Sequence, residues 1–133
     1  YSAYKKLQCA EHIVNALNDL LDLQNMAEEY MYLLTLNTKG DITGIFEISH
    51  GTVSNCLVSP REIFSRALMI GATGIILVHN HPSGYPEPSS DDIAITKCIK
   101  QAGELIGIEL LDHIIIGDKC FISFHREKLL SNC

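Results

Sequence analysis

No apolar stretch in this 133-residue chain approaches the roughly 20 residues that a membrane-crossing helix needs, and no basic-then-apolar leader opens it. A soluble, cytoplasmic protein without membrane attachment is expected. Basic runs are equally scarce. Lys5-Lys6 and Arg126-Glu127-Lys128 are the only clusters, and the formal net charge is −6, whereas duplex binding needs a cationic surface to meet phosphates. Direct nucleic-acid binding is therefore not expected. Five cysteines occur without a Cys-x-x-Cys pair, and an odd number cannot all pair within one chain, so reduced thiols fit best. Low-complexity segments are absent too. With 47% hydrophobic and 20% charged residues, the composition is that of a globular domain, long enough to bury about two thirds of its unfolded surface. Assembly into an oligomer is compatible with all of this. The chain opens on Tyr1 rather than methionine, which points to a portion of a longer protein.

Apolar periodicity then gives an order of elements. Ile13, Val14, Leu17, Leu20 and Leu21 recur at three- and four-residue spacing, predicting an amphipathic helix over residues 7–23. Residues 1–27 read as a helical segment packing on a core domain of residues 28–133. Residues 30–36 and 42–49 read as two strands of a hairpin around the turn at residues 37–41, and residues 52–58 as a third strand. Ser59-Pro60-Arg61-Glu62 sets serine at N-cap, proline at N1 and glutamate at N3, predicting a capped helix to about residue 70. A short buried strand over residues 74–78 follows, then a helix from Ser89 to near Gly107. Strands over 108–116 and 120–124 and a short terminal helix complete the order. Hairpins at both ends and one crossover between them predict an α/β (α+β) fold, a mixed sheet flanked by helices.

The chemistry concentrates in residues 79–92. His79 and His81 are separated by one residue, so on an extended chain both imidazoles face one side and can reach one ion. Pro82 and Gly84 end the strand, and Pro86 and Pro88 stiffen the loop that follows. Asp91 and Asp92 fall in the first turn of the next helix, where either carboxylate could complete a three-ligand site. Two imidazoles and one carboxylate leave a fourth tetrahedral position for water, the arrangement of catalytic rather than structural zinc. Ser89-Ser90-Asp91-Asp92 is equally a helix N-cap with an acidic first turn, which needs no metal.

His79-x-His81-Pro82 followed by Ser89-x-x-Asp92 resembles the JAMM signature of the JAB/MPN metalloprotease fold, an architecture similar to that of cytidine deaminases. Ser59-Pro60-Arg61-Glu62-Ile63, His79-Asn80-His81-Pro82-Ser83-Gly84, Pro88-Ser89 and Leu111-Asp112-His113-Ile114-Ile115-Ile116-Gly117 resemble the RadC family. The resemblance implies that His79, His81 and Asp92, rather than Asp91, hold Zn2+, with water as fourth ligand. It implies further that Ser89 stabilises an oxyanion and that a glutamate on an earlier strand, taken as Glu47 from its place before Gly51-Thr52, moves the proton. Asn80 stands where eukaryotic JAMM proteases carry Ser or Thr, and the helix-hairpin-helix region often found before this domain is not in the chain. His113, beside Asp112, reads as a satisfied strand histidine or a support behind the ligands. His12, His50 and His125 are given no role.

The expected function is a zinc-dependent hydrolase that cleaves a peptide or isopeptide-like amide, with a peptide or protein substrate. The alternative is an accessory module in DNA repair or recombination with a non-catalytic metal site. A third reading is a scaffold that docks a partner on a sheet edge.

Overall fold

The computed structural model describes residues 10–51 and 58–129. Helix α1 (Ala10–Leu21) is followed by a short 3-10 turn and a long hairpin, β1 (Glu29–Leu36) and β2 (Ile42–Gly51). Helix α2 (Pro60–Met69), strand β3 (Gly74–Asn80), helix α3 (Ser90–Ile106), β4 (Glu109–Ile116) and β5 (Phe121–Ser123) complete an α+β fold on one mixed sheet. The strand order is β2-β1-β3-β4-β5, parallel only between β3 and β4.

β3 is the middle strand and every one of its residues is buried. A central strand covered on both faces needs apolar side chains in both parities, which is why Gly74–Val78 reads as an unbroken apolar run rather than an alternation. On one face Met31, Leu33, Ile75, Leu77 and Ile115 pack against Ile63, Phe64 and Ala67 of α2 and Ile99 of α3. On the other, Tyr32, Leu34, Ile76, Val78 and Ile114 pack against Ile13, Val14 and Leu17 of α1. His79 shares the parity of Ile75 and Leu77, so it projects toward α2 and α3.

Both expected helix starts are capped. The Ser59 side chain accepts from the Glu62 amide with Pro60 at N1, and Ser89 forms a reciprocal capping box with Asp92. The expected strand at residues 52–58 and the first residues of the expected N-terminal helix fall outside the described residues, apart from Val58, which is not in a strand. The expected terminal helix is replaced by turns from Phe124 to Leu129. Lys128 is left-handed there, at φ 61°, and the Ser123 hydroxyl accepts the Arg126 amide, so local bonds compete with a helical ladder. No described helix is long and apolar enough to cross a membrane.

Candidate metal centre

His79 and His81 flank the carboxyl end of β3, where Pro82 stops the ladder. Their Nε2 atoms converge to 3.1 Å. Asp92 reaches both from the first turn of α3, with Oδ1 3.2 Å from His79 Nε2 and Oδ2 3.1 Å from His81 Nε2. The same carboxylate closes the capping box: Oδ2 accepts the Ser89 amide at 2.9 Å while Ser89 Oγ accepts the Asp92 amide at 3.1 Å. Helix cap and imidazole partner are thus one residue, and the two readings of this segment are not alternatives. Asp91 is exposed.

The remaining carboxylate comes from Glu29, at the start of β1. Its Oε1 lies 3.7 Å from His79 Nε2 and 3.6 Å from His81 Nε2. Strands β1 and β3 run antiparallel with Met31 opposite His79, so two residues back along β1 the side chain of Glu29 stands level with His81 and on the same face. Asn80 secures this end. Pointing away from the imidazoles, its Oδ1 accepts the Tyr30 amide at 2.7 Å and its Nδ2 donates to the Glu28 carbonyl at 2.9 Å, bracketing Glu29 where the β1–β3 ladder stops.

Glu47 is not in this group, which corrects the expectation for the early glutamate. Tyr32 is its partner across the hairpin, and Tyr32 faces α1. Glu47 therefore projects from the opposite face of the sheet, where its carboxylate accepts from the Tyr32 hydroxyl at 3.4 Å and pairs with exposed His50 at 3.2 Å. Its neighbours Phe46 and Ile48 pack toward α2 and α3. Strand alternation excludes Glu47 from that side, and the bulge between Met31 and Tyr32 fixes the parity. The signal for Glu29 was modest: an acidic pair opening an otherwise apolar strand, one member of which the alternation turns inward.

Electrostatics follow from crowding these groups in a buried corner. Burial raises the Glu29 carboxyl above its ordinary range, against the neighbouring histidines, which lower it. Burial also acts to raise Asp92, but hydrogen bonds from His79 and His81 outweigh it and hold Asp92 well below the usual carboxylate range. Burial disfavours charged His81, yet the bonds to Asp92 and to the Tyr85 carbonyl overcome this and raise its affinity for a proton. His81 Nδ1 donates to that carbonyl at 2.9 Å, which turns Nε2 inward toward His79 and Asp92.

Behind His79 lies His113 of β4, fully buried and stacked on Phe124. His113 Nε2 is 2.8 Å from His79 Nδ1, and His113 Nδ1 is hydrogen-bonded to Thr96 of α3. Burial first, and His79 second, push His113 well below the ordinary histidine value.

The donor set suits a divalent ion. Two atoms on one tetrahedral zinc at about 2.0–2.1 Å stand about 3.3 Å apart, close to the Nε2–Nε2 and Nε2–Asp92 separations here. Among the described residues, Glu29, His79 and His81 form a group whose ligand atoms all lie within 4.8 Å of one another and could hold a metal.

Residues 7–129 match the family described as a RadC-like JAB domain, a span that includes α1. The chain is similar to a UPF0758 protein of Desulforamulus reducens, 44% identical over 124 residues, which are 93% of this chain and 54% of the relative. A UPF0758 protein of Pelobacter propionicus is 47% identical over 109 residues, 82% of this chain and 48% of the relative. One from Clostridium perfringens is 41% identical over 135 aligned positions, 98% of this chain and 60% of the relative. The chain spans about half the length of the curated relatives it matches.

Proposed function

Because this chain belongs to the RadC-like JAB domain family, we propose that it is a metal-dependent hydrolase, with zinc as the ion and a peptide or isopeptide-like amide as the bond cleaved. The observation that carries the reading is the convergence of His79 Nε2, His81 Nε2 and both Asp92 oxygens within 3.1–3.2 Å, with Glu29 buried beside them. A divalent ion held there supplies an activated water at neutral pH and polarises a carbonyl.

The chain's own residues divide the remaining work. His79, His81 and Asp92 would hold the ion, and Asp92 is aimed by the helix cap it completes. Glu29 is the group placed to take a proton from the attacking water and deliver it to the leaving nitrogen, and its raised pKa suits a carboxylate that must both hold and release one. Ser89 Oγ already accepts the Asp92 amide, which leaves its hydroxyl hydrogen free to donate to a developing oxyanion. The substrate is proposed to be a peptide or protein, in keeping with a net charge of −6.

Metal analysis and peptidase assays test this together. His81→Ala and Asp92→Ala should each lose stoichiometric zinc. Glu29→Gln should keep zinc and lose at least about 10²-fold in turnover, whereas Glu47→Gln should match the parent. Full zinc retention in both ligand variants overturns the site. Inactivity of a zinc-loaded parent toward amide substrates, together with association with a repair complex, would favour an accessory role instead.

A further inference from the structure

Strands β3 and β4 end level with each other. Asn80 is the register partner of Ile116, and the His81 amide donates to the Ile116 carbonyl at 2.9 Å, one rung beyond the ladder. From there two short segments leave the sheet side by side: the loop of residues 82–88, which carries Tyr85, and the turn Gly117-Asp118-Lys119-Cys120, which leads into β5. The turn closes on itself, the Gly117 amide donating to the Cys120 carbonyl at 2.8 Å with Lys119 left-handed at φ 57°.

The two segments are joined at Gly84. Its amide donates to the His81 carbonyl at 3.0 Å, which folds the loop back, and its own carbonyl accepts the Asp118 amide at 2.9 Å and faces the Cys120 thiol at 3.7 Å. Gly117 makes the closest approach. A Cβ there would lie 2.5 Å from the Gly84 carbonyl oxygen, 2.9 Å from Cys120 Sγ and 3.0 Å from Pro86 Cδ. Gly84 is left-handed at φ 89° but Gly117 is not, so Gly117 is needed for the space it leaves rather than for conformational freedom. The two loop residues that press on Gly117 flank Tyr85, whose carbonyl accepts His81 Nδ1 at 2.9 Å.

We infer that Gly117 and the Asp118 amide are positioning groups: the β4–β5 turn is the template on which the loop is set, and through the Tyr85 carbonyl it fixes the His81 ring opposite His79 and Asp92. Of the two segments, the loop is the one that yields. Ile116 is laddered to β3 on one side and β5 on the other, whereas Pro82, Pro86 and Pro88 have no backbone donor and fixed φ, so the loop shifts as a unit. A methyl group at position 117 must open the Gly84 contact by roughly an ångström to reach ordinary van der Waals separation. The Tyr85 carbonyl then moves with its neighbours. His79 is held by β3 and Asp92 by its capping box, so the displacement falls on His81 alone. The inference rests on the metal reading for its purpose, while its geometry belongs to the metal-free chain.

Zinc competition against a chromophoric chelator, with ¹H–¹³C imidazole spectroscopy of the metal-free chain, tests this, and His81→Gln assigns the ring. Gly117→Ala should stay folded, shift the His81 ring signals, speed amide exchange at Asp118, and lose about 10–100-fold in zinc affinity. Asp118→Pro deletes the one amide that reaches Gly84, should act in the same direction, and serves if Gly117→Ala fails to fold. Gly40→Ala, in a hairpin turn with open space around it, controls for lost stability and should keep the parental zinc affinity. Parental His81 signals in a folded Gly117→Ala or Asp118→Pro chain overturn the inference, as does parental zinc affinity where the parent binds zinc, or an equal loss in Gly40→Ala. A parent that binds no zinc removes the metal reading instead; the template then stands if Gly117→Ala shifts the His81 signals and falls if it does not.

Discussion

Asn80 shows how much one side chain between two imidazoles can decide. His79 and His81 face the candidate metal centre, and Asn80 alone points to the other side, replacing the missing rungs of the β1–β3 ladder with bonds to Glu28 and Tyr30. Asn80→Ala removes the partners of a part-buried donor and acceptor, a loss of about 1–3 kcal/mol in all once the exposure of Glu28 is allowed for. The variant should lose roughly that order of stability in chemical denaturation, and amide exchange at Tyr30 should accelerate selectively. Asn80→Asp keeps the acceptor for Tyr30 but sets a carboxylate against the Glu28 carbonyl, and should be no better. Glu47 gives the complementary lesson. Proximity in sequence to other conspicuous residues carried no information about its face of the sheet, because parity turns on a single bulge.

Helix α3 and the crossover it makes place three parts of the site at once: Ser89, Asp92 and Thr96 stand on its first two turns. Its far end is pinned by contact. Gly103 lies where an added Cβ would come within 2.2 Å of the Ile108 carbonyl oxygen, and Gly107 closes the helix at φ 87°. Gly103→Ala must push α3 away from the start of β4, with a cost of about 1–3 kcal/mol from overpacking. Thermal unfolding should report that loss. Because the shift acts along the helix that carries Asp92, zinc affinity should weaken as well, whereas Gly40→Ala, in a hairpin turn with open space around its φ 82° backbone, should lower stability and leave zinc binding alone.

Across the whole molecule, the site sits where β1, β3, β4 and α3 meet, and its outer support extends to Asp112. That carboxylate is buried, and burial raises its pKa against bonds from the Ser123 hydroxyl and the His125 and His113 amides, with His125 as the nearby charge. The unfolded chain releases this proton at a lower pH than the folded one, so folding is opposed as pH rises from the ordinary aspartate range through the raised value. Relative to Asp112→Asn, the parent should therefore lose stability across that interval and level off above it, as urea unfolding at a series of pH values would show. A gap that is flat with pH would contradict the shift. Much of this was legible beforehand: the caps at Ser59 and Ser89, the buried strand before His79, and the two hairpins follow from local rules that act within a few residues. Period-two geometry alone set His79 and His81 on one side, and composition alone set the charge. Glu29, the bracket by Asn80 and the contacts of His113 with His79 and Thr96 arise from strand register and from the packing of a helix on a sheet. Those are contacts between residues 17 to 52 positions apart, fixed by which side chains fill a shared core, and they were decided only when the chain closed on itself.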